Sequence, residues 1–149
     1  MTRKPEYSQE ELYTDNHGLG DTYIEVNLTE QHLYYYKKGK VVLDTPFVSG
    51  RMTKDRFTPP GVYFLTYKQK DRILRGRPNA SGQPSYQSHV NYWMPFNGGV
   101  GIHDLASRGN NFGGDIYKTN GSHGCINTPL EAAKTIYETV SVGTPVIVY

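Results

Sequence analysis

Apolar residues in this chain come in short runs, and nearly every run is closed by Gly, Pro or Asn. Runs that short do not build the helices of a bundle; they match strands of ordinary length joined by turns, so the fold is expected to be mostly β. Residues 23–28 alternate, with Ile24, Val26 and Leu28 on one face and Tyr23, Glu25 and Asn27 on the other, which is the pattern of a half-buried strand. Residues 33–36 and 41–48 flank Lys37-Lys38-Gly39-Lys40 and read as a hairpin whose Gly accepts a positive φ. The breaker Thr58-Pro59-Pro60-Gly61 precedes a strand over 62–67. Strands over 92–96 and 100–102 lie on either side of Gly98-Gly99, and a buried strand over 145–149 closes the chain. One main helix is expected, over about 129–142. Thr128-Pro129-Leu130-Glu131 has the form of a capping box, and Leu130, Ala133, Ile136, Tyr137 and Val140 follow at helical spacing.

The length of 149 residues suits one domain able to bury its own core. Residues 1–20 are polar and turn-rich and read as a linker ahead of a domain over 21–149. Residues 70–90 are polar and carry Gly76, Pro78, Gly82 and Pro84, so they read as a long excursion kept only for a purpose, of which covering a substrate is one. A second polar, Gly-rich loop runs over 104–121. The net charge of +2 is small and dispersed, and the one dense basic run, Lys37 to Lys40, is a turn, so nucleic-acid binding is not expected. No stretch approaches the roughly 18 consecutive apolar residues that span a bilayer. Tyr34, Tyr35 and Tyr36 alternate faces along a strand and are explained by sheet packing.

The chemistry concentrates in Ser122-His123-Gly124-Cys125-Ile126-Asn127. Its Cys is the single cysteine of the chain, and a lone Cys is most often a small buried hydrophobe. Here it stands beside a His and a Gly and just ahead of the expected helix, whose dipole, together with an imidazolium, would lower the thiol pKa. A second histidine, His103, ends the alternating run of Val100 and Ile102, at a strand end facing a loop. His103, Asp104, Asp115, His123 and Cys125 hold enough donors for zinc but in no common zinc spacing, and neither metal nor cofactor is expected.

His103, a spacer, and then Ser-His-Gly-Cys-Ile-Asn resembles the signature of the L,D-transpeptidases of the YkuD-like family. The similarity extends over most of 23–149, including Gly50, the Thr58 to Gly61 turn, Asn91-Tyr92-Trp93-Met94-Pro95 and Gly143-Thr144-Pro145-Val146. The resemblance implies a compact β-sandwich or barrel-like catalytic fold. It makes Cys125 the nucleophile and His103 the base, with the backbone carbonyl of Asp104 as third member. Backbone N–H groups of His123, Gly124 and Cys125 would form the oxyanion hole. Ser122, His123 and Asn127 are expected to shape the substrate pocket, with Tyr92, Trp93 and Met94 on its approach.

The implied reaction is acyl transfer on peptidoglycan tetrapeptide stems: the terminal D-alanine leaves, a thioester forms on Cys125, and an amine of a neighbouring stem closes a 3→3 cross-link. Carbapenem β-lactams would acylate the same sulfur. An L,D-carboxypeptidase using water and a non-catalytic wall-binding module are the alternatives. A papain-like hydrolase fits less well, because its Cys ordinarily precedes its His. Such a substrate lies outside the membrane, so the chain is expected at the cell wall, as a monomeric piece of a secreted or membrane-anchored precursor.

Overall fold

The computed structural model describes residues 21–76 and 78–149; the linker expected over 1–20 lies outside the described residues. Nine strands form two sheets among them. The strands β1 (Tyr23–Asn27), β2 (His32–Lys37), β3 (Lys40–Pro46), β4 (Gly61–Phe64) and β9 (Pro145–Val148) make a five-stranded sheet in the order β3-β2-β1-β9-β4. The strands β5 (Gln69–Arg75), β6 (Gln87–Asn97), β7 (Val100–Asp104) and β8 (Ile126–Thr128) make the second, in the order β5-β6-β7-β8. The core lies between them, where Ile24, Val26, Leu33 and Val146 of the first sheet meet Met94, Ile102 and Ile126 of the second. Each such side chain contributes about 1.5–3 kcal/mol by leaving water.

The β2–β3 hairpin turns on Lys38 and Gly39, both at positive φ (53° and 79°), as a two-residue turn matched to strand twist requires. Strand β1 departs from the half-buried expectation. Tyr23 and Glu25 are as buried as Ile24 and Val26, because Tyr36, Val62, Ile147 and Tyr149 gather over the second face. Tyr35 belongs to the core, while Tyr36 stacks on Tyr23 at 4.7 Å, so the tyrosine triplet is sheet packing.

The expected loop over 70–90 is largely a hairpin. Strands β5 and β6 pair from Gln69↔Trp93 to Arg75↔Gln87, and a bridge between Pro78 and Pro84 extends the ladder toward the tip. β5 is mostly exposed, so it carries little of the apolar alternation by which a strand is recognised. The loop over 104–121 contains a 3-10 turn (Ala106–Arg108) and a short helix, α1 (Ile116–Asn120).

The main helix, α2 (Leu130–Thr139), is shorter than expected at both ends. Thr128 is not its cap. It is the last residue of β8, paired in parallel register with Asp104, and its Oγ1 donates to the His103 carbonyl at 3.5 Å. Pro129 takes the cap position without a side-chain bond, and Val140 turns to ψ 147° and stops the helix. Ala132, Ala133 and Ile136 are buried against the sheets, whereas Leu130 is 47% exposed.

After β3 the chain bridges the two sheets. Val48 exchanges both backbone hydrogen bonds with Asn127 at 2.9 Å, and Gly50 bridges to Ser122. The segment between Ser122 and Asn127 is therefore fastened at both ends to the first sheet's outgoing chain.

Candidate active site

The geometry of the site follows from register. β7 and β8 run parallel with Ile102 beside Ile126, His103 beside Asn127, and Asp104 beside Thr128. Ile102 and Ile126 face the core, so His103 and Asn127 share the opposite face, where they line one cavity of about 310 Å³ together with Cys125. Cys125 sits on the loop leading directly into β8. The helix N-terminus expected beside it lies on the far side of that strand, so the dipole does not act on the sulfur at close range.

Burial therefore decides the thiol. It pushes Cys125 up to about 11, partly offset by a hydrogen bond from the Gly101 backbone. The Sγ itself lies 3.3 Å from the Gly99 carbonyl, to which it donates. Cys125 is half-buried at the cavity wall, whereas His103 is only 5% exposed, and desolvation holds its pKa below the usual histidine value; the Asp104 carbonyl and carboxylate oppose that shift and Arg108 adds to it. Its Nδ1 lies 2.6 Å from the Asp104 carbonyl oxygen. A carbonyl oxygen only accepts, so Nδ1 carries the proton and Nε2 presents its lone pair.

The Asp104 side chain does separate work. Its carboxylate accepts from Asn91 N–H at 2.9 and 3.1 Å, from Asn91 Nδ2 at 2.8 Å and from Tyr92 N–H at 2.9 Å. It clamps β6 to β7 just where the Asp104 carbonyl must hold the imidazole.

Ser122 and Thr58 shape the Cys125 loop. Ser122 Oγ donates to the Cys125 carbonyl at 2.5 Å and accepts the Gly124 N–H at 3.1 Å. The Gly124 N–H, one of three expected oxyanion donors, is thus engaged inside the loop. Thr58 Oγ1 donates to the Gly124 carbonyl at 2.6 Å and accepts from Gly50 N–H at 2.9 Å. Gly124 has φ +127°, and a Cβ there would meet Val100 only at 3.6 Å. The position needs Gly for its backbone angle, not to keep a close approach open. Behind the loop, buried Gln31 bonds Ser49 through both ends of its amide, at 2.8 and 3.0 Å, and the Ser49 carbonyl receives Ser122 N–H at 2.9 Å.

His123 lines the cavity and lies against the Tyr86 ring at 4.2 Å. The three residues expected on the approach, Tyr92, Trp93 and Met94, do not line it. Met94 is in the core, and Tyr92 packs on Tyr137 of α2 at 5.1 Å. Trp93 pairs across strands with His103, its ring 5.8 Å from the imidazole and its Nε1 donating to Tyr67 at 3.1 Å. The wall is built instead by Leu74, Tyr86 and Ser88 of the β5–β6 hairpin and by Arg108, Asn111 and Asn120 of the following loop. Asn127 is 1% exposed and takes the amide orientation its neighbours dictate. Its Oδ1 accepts from Arg108 Nε at 2.8 Å and from a terminal guanidinium nitrogen at 3.2 Å, and its Nδ2 donates to His103 Nε2 at 3.2 Å.

A neutral thiol and a neutral imidazole lining one half-open cavity have the chemistry for base-assisted covalent catalysis. The model of the YkuD family, described as the L,D-transpeptidase catalytic domain, matches residues 21–148. The chain belongs to this family. Among solved structures, an Enterococcus faecium L,D-transpeptidase mutant is 50% identical with a TM-score of 0.77, covering 87% of this chain and 50% of its own. This L,D-transpeptidase domain therefore spans half the length of that relative. The catalytic domain of the E. faecium enzyme acylated by ertapenem is 52% identical, TM-score 0.73, over 87% of this chain and 97% of that one. A Mycobacterium smegmatis L,D-transpeptidase is 26% identical, TM-score 0.73, over 87% and 58%. No curated protein matches the chain.

Proposed function

We propose that this domain cross-links peptidoglycan by cysteine-dependent acyl transfer on tetrapeptide stems, at the cell wall outside the cytoplasmic membrane. The observation that carries the reading is the shared cavity. Cys125 and His103 line one opening, the imidazole oriented through Nδ1 with its Nε2 lone pair free of its own proton. In the first half-reaction the thiol leaves the Gly99 carbonyl and the Asn127 N–H gives way at His103 Nε2; Cys125 then gives its proton to Nε2 and its sulfur bonds to the carbonyl carbon of the third stem residue. The N–H groups of His123 and Cys125 face the oxyanion. As the tetrahedral centre collapses, the C–N bond breaks and the Nε2 proton passes to the departing D-alanine amine, leaving a thioester. A neighbouring stem's amine then attacks, loses a proton to Nε2, and expels the sulfur, which takes that proton back. The amide bond broken is replaced by an amide bond formed, so no external energy source is needed.

The β-lactam ring offers the same sulfur a strained carbonyl, and the ertapenem adduct of the enterococcal catalytic domain supports carbapenem acylation here. Intact-mass spectrometry after mixing with ertapenem and, separately, with tetrapeptide stems tests the reading. One covalent adduct is expected, lost in Cys125→Ala. An adduct retained in that variant, or none in the wild type, refutes it. Product from stems with an amine acceptor identifies a transpeptidase; loss of D-alanine without any acceptor identifies a carboxypeptidase.

A further inference from the structure

The base-assisted reading gives Arg108 and Asn127 no part in the proton transfers, although the two are bonded to one another in the cavity wall. Arg108 has donors only. With Nε and a terminal nitrogen at 2.8 and 3.2 Å from one end of the Asn127 amide, it forces the oxygen to that end. The NH2 is then turned on His103 Nε2, and the guanidinium is itself tied to the Asn120 carbonyl at 2.9 Å. We infer that Arg108, acting through Asn127, is a positioning residue that opposes protonation of His103 at Nε2, the Nδ1–H tautomer being set by the Asp104 carbonyl. The inference rests on the proposed function for its catalytic meaning, but its structural content stands apart from it.

The consequence lies in the proton's path. At rest the Asn127 NH2 satisfies the Nε2 lone pair. Once Nε2 takes the thiol proton, two donors face each other, and the amide cannot flip to relieve them because its oxygen is held by Arg108. The imidazolium is thereby made a stronger acid, which drives the proton on to the leaving amine instead of letting it rest on the ring. The other groups around His103 do not supply this effect. The Asp104 carboxylate is turned away to Asn91 and Tyr92, Trp93 and Thr128 are uncharged, and Cys125 donates to Gly99. His123 and Tyr86 share the cavity but stack on one another. The charge of Arg108 adds to burial in lowering the imidazole's affinity for a proton.

Long-range 1H–15N correlation spectra of the 15N-histidine-labelled protein at pH 8 read the tautomer directly. An Nδ1-protonated, Nε2-bare His103 is expected, and an Nε2-protonated ring overturns the inference. In Arg108→Met, checked for folding by thermal melting, the amide is released and a positive charge removed. His103 should then titrate at higher pH than in the wild type, and the acidic limb of the ertapenem acylation profile should move the same way. Acylation at pH 6 should fall about tenfold, equivalent to ~1.4 kcal/mol, with a smaller loss at pH 8 and partial recovery in Arg108→Lys. An unmoved titration and an unmoved profile refute it. Should the Met variant fail to fold, Arg108→Gln takes its place with the same upward shift of the His103 titration expected, and an unmoved titration there refutes the inference. A wild type that ertapenem leaves unmodified sinks the proposed function, while the spectra still decide the role of Arg108.

Discussion

Thiol reactivity gives the sharpest test of how the site works at rest. Burial raises Cys125 from an ordinary 9.0 to about 11. At pH 8 an ordinary thiol with that starting value is ionised in about one molecule in ten, and Cys125 in about one in a thousand, so the thiolate population falls about 100-fold, or ~2.7 kcal/mol. Iodoacetamide reacts with the thiolate. Its rate with the folded protein at pH 8 should therefore be about 100-fold below that of the urea-denatured chain, and should climb about tenfold per pH unit up to about pH 10. Intact mass at timed intervals between pH 6 and 11 measures both. A plateau reached near pH 7, or a folded rate equal to the denatured one, would mean a resting thiolate–imidazolium pair and would refute the argument from burial. The same shift has a signed effect on stability. Between pH 9 and 11 the denatured chain has lost a proton that the folded chain keeps, so stability falls as pH rises, by up to ~2.7 kcal/mol, and Cys125→Ser should remove most of that slope.

Three further outcomes follow from contacts around the loop. Asp104→Ala strands the Asn91 and Tyr92 donors, which should cost about 2–4 kcal/mol in urea unfolding and slow ertapenem acylation, because the carbonyl on His103 Nδ1 loses its clamp. Thr58→Val keeps shape but removes the bonds to Gly50 and Gly124; a loss of about 1–3 kcal/mol with slower acylation is expected, and an unchanged acylation rate would show that the loop holds without Thr58. His103→Ala should lower acylation by roughly 10²–10⁴-fold, and near-normal turnover would place the base elsewhere.

Where local pattern and tertiary role coincide, the sequence was a sufficient guide. The β2–β3 hairpin has its turn chemistry in Lys38-Gly39, and β9 is continuously apolar, so both lie close to where periodicity puts them, whereas β6 begins five residues before its expected start because Gln87-Ser88-His89 carries no apolar signal. The misses share one cause: a neighbour distant in the chain overrode a local signal. Thr128 carries every local mark of a cap, yet strand pairing with Asp104 takes its backbone into the sheet. The β5 strand has few buried side chains to announce it, being held by backbone pairing with β6. The second face of β1 is polar by pattern and buried in fact, because Tyr149, at the chain's far end, arrives to cover it.

The site divides along the same line. Cys125 and His103 are marked by residue type and neighbourhood, since a thiol and an imidazole are unusual enough to be found without a fold. The residues that set their protonation are ordinary ones. Gly101 bonds the sulfur through its backbone, and Asp104 holds the imidazole through a carbonyl that any residue possesses. Arg108 lies in a Gly- and Asn-rich loop where an arginine ordinarily means solvent. The available sign was Asn127, two residues beyond Cys125 and, in a strand, on the same face. A parallel strand reaching His103 beside it makes a buried amide there unavoidable, and an amide must find one donor and one acceptor. His103 Nε2 can serve as the acceptor once Nδ1 has the proton, so the missing group had to be a donor. Arg108 is that donor, and the direction of the Asn127 amide, more than its presence, is what the fold contributes to the chemistry.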